Sequence, residues 1–238
     1  MKLHRFLGDY DLSGNSIFIA DKEVVSQLRS VLRMRVGDIV ILGDGRGREA
    51  FCRIIHYEHG GVRFAIDQVD LMPHEAAKSL TLYCAILKKE NFELIVRQAT
   101  EIGIARIVPV RTERTVKLNV NQERLKKITK EASEQSGRSL IPEVSSIVSF
   151  EEALQESEHC DVTVFFTPNA KLFSPELLPS RTLHSAACFI GPEGGWSPQE
   201  IQLAKDHYAV FAGLGRYTLR AETAVVAATY SLMHALAS

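Results

Sequence analysis

Two stretches decide the fold: Ile190-Gly191-Pro192-Glu193-Gly194-Gly195-Trp196-Ser197-Pro198-Gln199-Glu200, and Leu214-Gly215-Arg216-Tyr217-Thr218-Leu219-Arg220-Ala221-Glu222-Thr223-Ala224. Each runs from a short apolar segment through a glycine turn into the start of a helix. Ala186 to Ile190 has the composition of a buried strand. Ser197 suits an N-cap, Pro198 the first helical position, and Glu200 completes a capping box. Glycine alone takes a positive φ without strain, and it leaves the backbone bare. A bare, bent backbone at the carboxyl end of a strand can wrap a small polar ligand. Neither turn fits the dinucleotide or P-loop glycine patterns.

Working outward, strand and helix alternate across residues 80–238. Leu80 to Leu87 predicts a strand, and Lys89 to Ile102 a helix with Phe92, Ile95, Val96 and Ala99 on one face and Gly103 as its stop. Ala105 to Val110, Asp161 to Phe166 and Ala186 to Ile190 predict further strands, and Asn121 to Ser136 a charged helix. Ala221 to Ala237 reads as a helix apolar nearly all round, suited to burial or to a subunit interface. This alternation implies a mostly parallel sheet with helices on both faces.

Residues 1–72 have a different character, a small β-rich unit with Gly-rich turns and a short helix capped by Asp21. Arg29, Arg33 and Arg35, interleaved with apolar residues, would give it a basic edge suited to phosphate. Residues 73–79 read as a linker, and 80–238 as the second domain.

The chain of 238 residues is 45% hydrophobic and 24% charged, ordinary for a globular protein. It has no apolar run long enough to span a membrane, and its first residues lack the apolar stretch of a secretion signal. Four isolated cysteines without a C-x-x-C pair suggest reduced thiols, a cytoplasmic setting and no metal site. The net charge of −1 hides an asymmetry. Residues 88–140 carry twelve Lys/Arg against seven Asp/Glu, whereas 141–210 carry three against ten. A basic middle beside an acidic segment suits one face for a polyanion.

The glycine turns, with Leu219-Arg220-x-Glu222-Thr223-Ala224, resemble the signature loops of SPOUT-type methyltransferases. Further segments resemble one family within that group: His4-Arg5-Phe6, Val31-Leu32-Arg33, Lys88-Lys89, Gln98 to Gly103, Glu113-Arg114-Thr115, and Glu131-Ala132-x-x-Gln135-Ser136-x-Arg138. That family is ribosomal RNA small subunit methyltransferase E, which methylates N3 of one uridine in 16S rRNA. The likeness covers nearly the whole chain and is weakest over 141–185. One departure is Tyr217-Thr218 before Leu219-Arg220, where the family more often has an aliphatic residue.

The resemblance implies an α/β fold with a deep trefoil knot in the C-terminal domain, an exception to the rule against threaded connections. It implies a PUA-like barrel at 1–72, a homodimer formed through the knotted domain, and 16S rRNA in the small subunit as partner. S-adenosylmethionine is the implied cofactor, leaving as S-adenosylhomocysteine. Its implied contacts are Phe166, Thr167, Pro168, Gly191, Glu193, Gly194, Gly195, Leu214, Gly215, Tyr217, Leu219 and Thr223. Uridine N3 holds a proton, so the reaction needs a base or a cation near the uracil oxygens. Arg220 and Glu222 are the first candidates, Arg114 and Arg138 the second; His4 and Arg5 are expected on RNA. Competing readings are methylation of another RNA position or a ribose 2′-OH, a non-catalytic RNA-binding protein, and a nicotinamide enzyme weakened by its missing fingerprint.

Overall fold

The computed structural model describes residues 3–71, 78–115 and 119–237, so most of the expected linker lies outside the described residues. The chain divides into two compact units, Met1–Glu75 with Ser133–Ile141, and Ala76–Ala132 with Pro142–Ser238.

In the N-terminal unit, β1 (Arg5–Leu7), β2 (Ser16–Ile19), β3 (Ile39–Gly43), β4 (Arg48–Glu58) and β5 (Gly61–Leu71) form one sheet in the order β1-β3-β4-β5-β2. Alternation places Val40 and Leu42, Ala50, Cys52 and Ile54, and Val62 and Phe64 in one core. Helix α1 (Lys22–Ser26) starts as expected, with the Asp21 carboxylate accepting from the N–H groups of Glu23 and Val24.

Residues 133–141 depart from the expected division, which gave everything beyond 80 to the second domain. The physical reason is direct bonding within the N-terminal unit. The Leu7 N–H donates to Glu134 Oε1 at 2.8 Å, the Ile141 N–H to Gly45 O at 3.0 Å, and Leu140 bridges to Arg46. Arg5 also differs from expectation. Its Nε and Nη2 donate to the two carboxylate oxygens of Glu49 at 2.5 and 3.1 Å, with the Arg5 side chain only 14% exposed. The guanidinium expected on RNA is committed to a bidentate internal pair.

The C-terminal unit is built on β6 (Ser79–Ala85), β7 (Arg106–Arg111), β8 (Glu143–Val144), β9 (Val148–Ser149), β10 (Val162–Phe166), β11 (Ser185–Ile190) and β12 (Val210–Ala212). Their order is β12-β10-β11-β6-β7-β8, with β9 also on β7, and every pairing is parallel. Parallel strands need both faces covered, which explains their almost unbroken apolar runs. On β11, Ala186, Cys188 and Ile190 enter one core with α2 (Lys89–Ile102) and α6 (Ala221–Ala237). Ala187 and Phe189 enter the other, with α4 (Phe150–Ser157) and α5 (Pro198–Asp206). The second core is aromatic: Tyr83 stacks on Phe189 at 4.6 Å between centroids, and Trp196 packs tilted against Phe165 at 4.4 Å. Helix α2 ends at Gly103 with φ 109°, a left-handed cap. Helix α3 (Gln122–Ser136) starts in this unit and ends in the other.

Glu49→Ala would strand a mostly buried Arg5. The expected cost is about 3 kcal/mol of N-terminal-unit stability, measured by urea denaturation. A loss well below 1 kcal/mol would show a pair screened like a surface one.

Candidate active site

β10, β11 and β12 are parallel neighbours, so their carboxyl ends meet at one edge of the sheet. The loops leaving those ends enclose a cavity of about 290 Å³. Phe166, Thr167 and Pro168 come from the first loop, Ile190 to Trp196 from the second, and Leu214, Gly215, Tyr217, Thr218 and Leu219 from the third. Ala221 and Ala224 close it from the first turn of α6.

The glycines are set by local geometry. A Cβ on Gly191 would lie 2.9 Å from the Trp196 ring, and one on Gly213 would lie 2.7 Å from the Ala170 carbonyl oxygen. Gly195 and Gly215 take φ of 69° and 136°, which strain other residues. Trp196 fixes the second loop to the first, its indole N–H donating to the Phe166 carbonyl at 3.0 Å. The third loop is tied back through the Thr167 N–H to Ala212 O at 3.0 Å and the Phe173 N–H to Gly213 O at 2.8 Å.

Ser197 and Glu200 form the capping box expected of α5. The Glu200 carboxylate does more than cap. Its Oε2 accepts from the Ser197 N–H at 2.7 Å, while Oε1 accepts from the Glu113 N–H at 2.8 Å, 87 residues away in sequence. Next to Glu113, Arg114 donates through Nη1 to the Gly194 carbonyl at 2.7 Å. Its stem lies over Gly194, with Cδ 3.4 Å from where a Cβ would be.

Among the described residues that line the cavity, only Glu193 carries a charge; the remainder are apolar, hydroxyl or glycine. Burial first, and the Glu193 carboxylate second, push the thiol of Cys84 beneath the loop above its ordinary value. Such a lining suits a ligand with an apolar, edge-polar body and a positive centre. Among the described residues there is no His/Cys/Asp/Glu cluster that could hold a metal ion.

Of the residues expected at a cofactor, the structure gathers all but Thr223, which is exposed and absent from the lining. Helical phase explains the difference: Ala221 and Ala224, three residues apart, face the cavity and Thr223 turns away. Ile190, Pro192, Trp196, Thr218, Ala221 and Ala224 also line it. Trp196 and Ile190 stood in the quoted motif, but their reading as turn and strand gave no signal of a wall.

The Arg220 side chain is exposed, and its carbonyl accepts from the Ala224 N–H at 2.8 Å at the start of α6. Glu222 sits half-buried in that helix's first turn. Arg138 is buried in the segment belonging to the N-terminal unit. In the same unit His4, Arg29, Arg33 and Arg35 are exposed, with the Arg29 guanidinium 4.5 Å from the centre of the Tyr57 ring.

Trp196 is the chain's one tryptophan, so its fluorescence reports on the cavity wall. Gly191→Ala must displace that ring. The expected result is a shifted emission maximum and a loss of about 1–3 kcal/mol; an unchanged spectrum and stability would contradict the crowding.

Comparison with known proteins agrees with this architecture. The family described as RNA methyltransferase domain matches residues 74–233, and that described as RNA methyltransferase PUA domain matches residues 28–66. Ribosomal RNA small subunit methyltransferase E of Rickettsia conorii is 29% identical over 232 residues, covering 96% of this chain and 94% of its own. The protein of the same name from Aquifex aeolicus is 33% identical over 162 residues, 66% of this chain and 69% of its own. The crystal structure of a ribosomal RNA small subunit methyltransferase E from Neisseria gonorrhoeae, bound to S-adenosyl methionine, superposes with a TM-score of 0.87. It is 29% identical, and the match covers 98% of each chain. With a methyltransferase-domain match over most of its length and relatives of one name matched over two thirds or more of theirs, the chain belongs to the ribosomal RNA small subunit methyltransferase E family.

Proposed function

We propose that this protein transfers a methyl group from S-adenosylmethionine to N3 of a uridine in small-subunit ribosomal RNA. The observation that carries the reading is the cavity of three loops, two of them shaped by glycine, at the carboxyl ends of β10, β11 and β12. The residues present fit the cofactor. Leu214, Leu219, Ile190 and Phe166 offer apolar faces for an adenine, and the bare loop backbone offers groups for its edge. Glu193 supplies negative charge for a positive centre. S-adenosylmethionine, when bound, supplies a methyl group already activated on a sulfonium, with a neutral thioether as leaving group.

The chain's own residues then have two tasks. The first is alignment of acceptor with donor, which is proximity and orientation. The second is stabilisation of the uracil as its N3 proton leaves, since the protonated nitrogen is a poor nucleophile. Two arginines border the loops: Arg114, fastened to Gly194 O, and Arg220, which follows the lining residue Leu219. A guanidinium at O2 or O4 stabilises the developing anion. Glu222 remains a candidate to accept the proton; Arg138 is buried and is given no contact with RNA.

The exposed residues His4, Arg29, Arg33 and Arg35 of the N-terminal unit are assigned to the RNA backbone; Arg5 is not. The knotted threading of the C-terminal segment and a dimer through it belong to the same proposal; likeness over 98% of the chain to the gonococcal protein supports the shared fold. Residues 1–72 with 133–141 serve in it as the RNA-gripping domain, and 80–132 with 142–238 as the catalytic one. The substrate is the small subunit or its rRNA.

Incubation of small-subunit rRNA with the protein and labelled S-adenosylmethionine should place label in 3-methyluridine, read by nucleoside mass spectrometry. Arg220→Ala should lower the rate about 10²-fold with cofactor binding retained. Label in another nucleoside would overturn the substrate assignment.

A further inference from the structure

Glu200 is the most heavily engaged acid beside the cavity, and helix capping uses only part of it. A capping box needs one carboxylate oxygen on the N-cap N–H and one hydroxyl on the N3 N–H. Glu200 meets that need through Oε2 and its own N–H, at 2.7 and 3.2 Å. Its Oε1 reaches instead to the Glu113 N–H at 2.8 Å, and the residue is 4% exposed.

The group it holds is a four-residue turn. The Thr115 N–H donates to Thr112 O at 3.1 Å, and the Thr112 N–H donates to Thr115 Oγ1 at 3.0 Å. Glu113 occupies the second position of that turn, Arg114 the third. From there Arg114 reaches back to Gly194 O at 2.7 Å with its stem lying over Gly194. A closed circuit results: the Glu200 carboxylate fixes the turn, the turn fixes Arg114, and Arg114 lies on the loop that Glu200's helix follows. One guanidinium N–H is used in that bond, and a guanidinium has five.

We propose that Glu200 is a positioning residue for methyl transfer: it holds the Thr112–Thr115 turn against the glycine loop so that Arg114 presents its remaining donors at the cavity rim, toward the uracil oxygens. The proposal rests on the methyl-transfer reading above. A side chain that helps the acceptor lose its N3 proton matters most when solution pH does not already favour that loss. Removing it therefore costs most near neutrality, and the deficit shrinks as pH rises. A cap that only stabilises the fold gives the same fractional loss at every pH.

Two variants separate these. Glu200→Gln keeps the shape of the side chain but cannot accept with both terminal atoms. Glu113→Pro deletes the N–H that Oε1 binds (Glu113→Ala, which keeps that N–H, controls for the carboxylate lost with it), leaves the capping box intact, and suits the second position of a turn. Each should lower kcat/KM about tenfold near neutral pH, with affinity for S-adenosylhomocysteine close to wild type. The deficit should narrow at alkaline pH. In an Arg114→Ala background neither change should lower the rate further, since groups acting as one unit are not additive. Ser197→Ala, which removes the cap hydroxyl but leaves the Glu113 bond, should destabilise the protein and keep the wild-type profile shape.

Parallel pH profiles, or losses that add to that of Arg114→Ala, would overturn the proposal. If Glu200→Gln does not fold, Glu113→Pro still decides. Wild-type protein that makes no 3-methyluridine would sink the methyl-transfer reading itself, a separate outcome visible in the control.

Discussion

Parallel pairing in the C-terminal unit constrains almost everything else about it. Strands that run the same way must be joined by crossovers, and both faces of their sheet must be covered. Hence the two cores, one aliphatic under α2 and α6 and one aromatic under α4 and α5. The same pairing brings the carboxyl ends of β10, β11 and β12 to one edge, so loops distant in sequence share a cavity. Once the loops meet, space becomes the limiting quantity. Gly191 is small because Trp196 lies against it, and Gly213 because the Ala170 carbonyl does. The cavity is a product of crowding around it as much as of the turns that line it.

Two carboxylates in the second loop and the helix after it show how environment divides labour. Glu193 is exposed in the lining, where it sets the sign of the local field. Glu200 is buried and spends its oxygens on backbone N–H groups of two separate segments. Bonds of that kind to a buried carboxylate are charge-assisted and hold geometry well. The loops around the cavity are thus held by one buried acid and an indole behind them.

Local physics was legible in the sequence and long-range bonding was not. The extent of α6, the stop at Gly103 and the Ser197–Glu200 capping box follow from periodicity, glycine and spacing, and all stand as read. The second bond of Glu200 joins residues 87 apart, and nothing in either neighbourhood announces it. Arg5 looked like a free cation because its partner, Glu49, is 44 residues away. Residues 133–141 complete a charged helix and carry no compositional mark of belonging with the N-terminal sheet. Thr223 was named through family resemblance; the phase of α6 selects Ala221 and Ala224.

The central claim is that the glycine-shaped cavity holds the methyl donor. Its most direct test is a titration of the protein with S-adenosylhomocysteine, followed by Trp196 fluorescence. A saturable change with one-to-one stoichiometry per chain, lost or strongly weakened in Gly191→Ala, is the outcome this account expects. Absence of binding, or an affinity that Gly191→Ala leaves untouched, would place the cofactor elsewhere and contradict it.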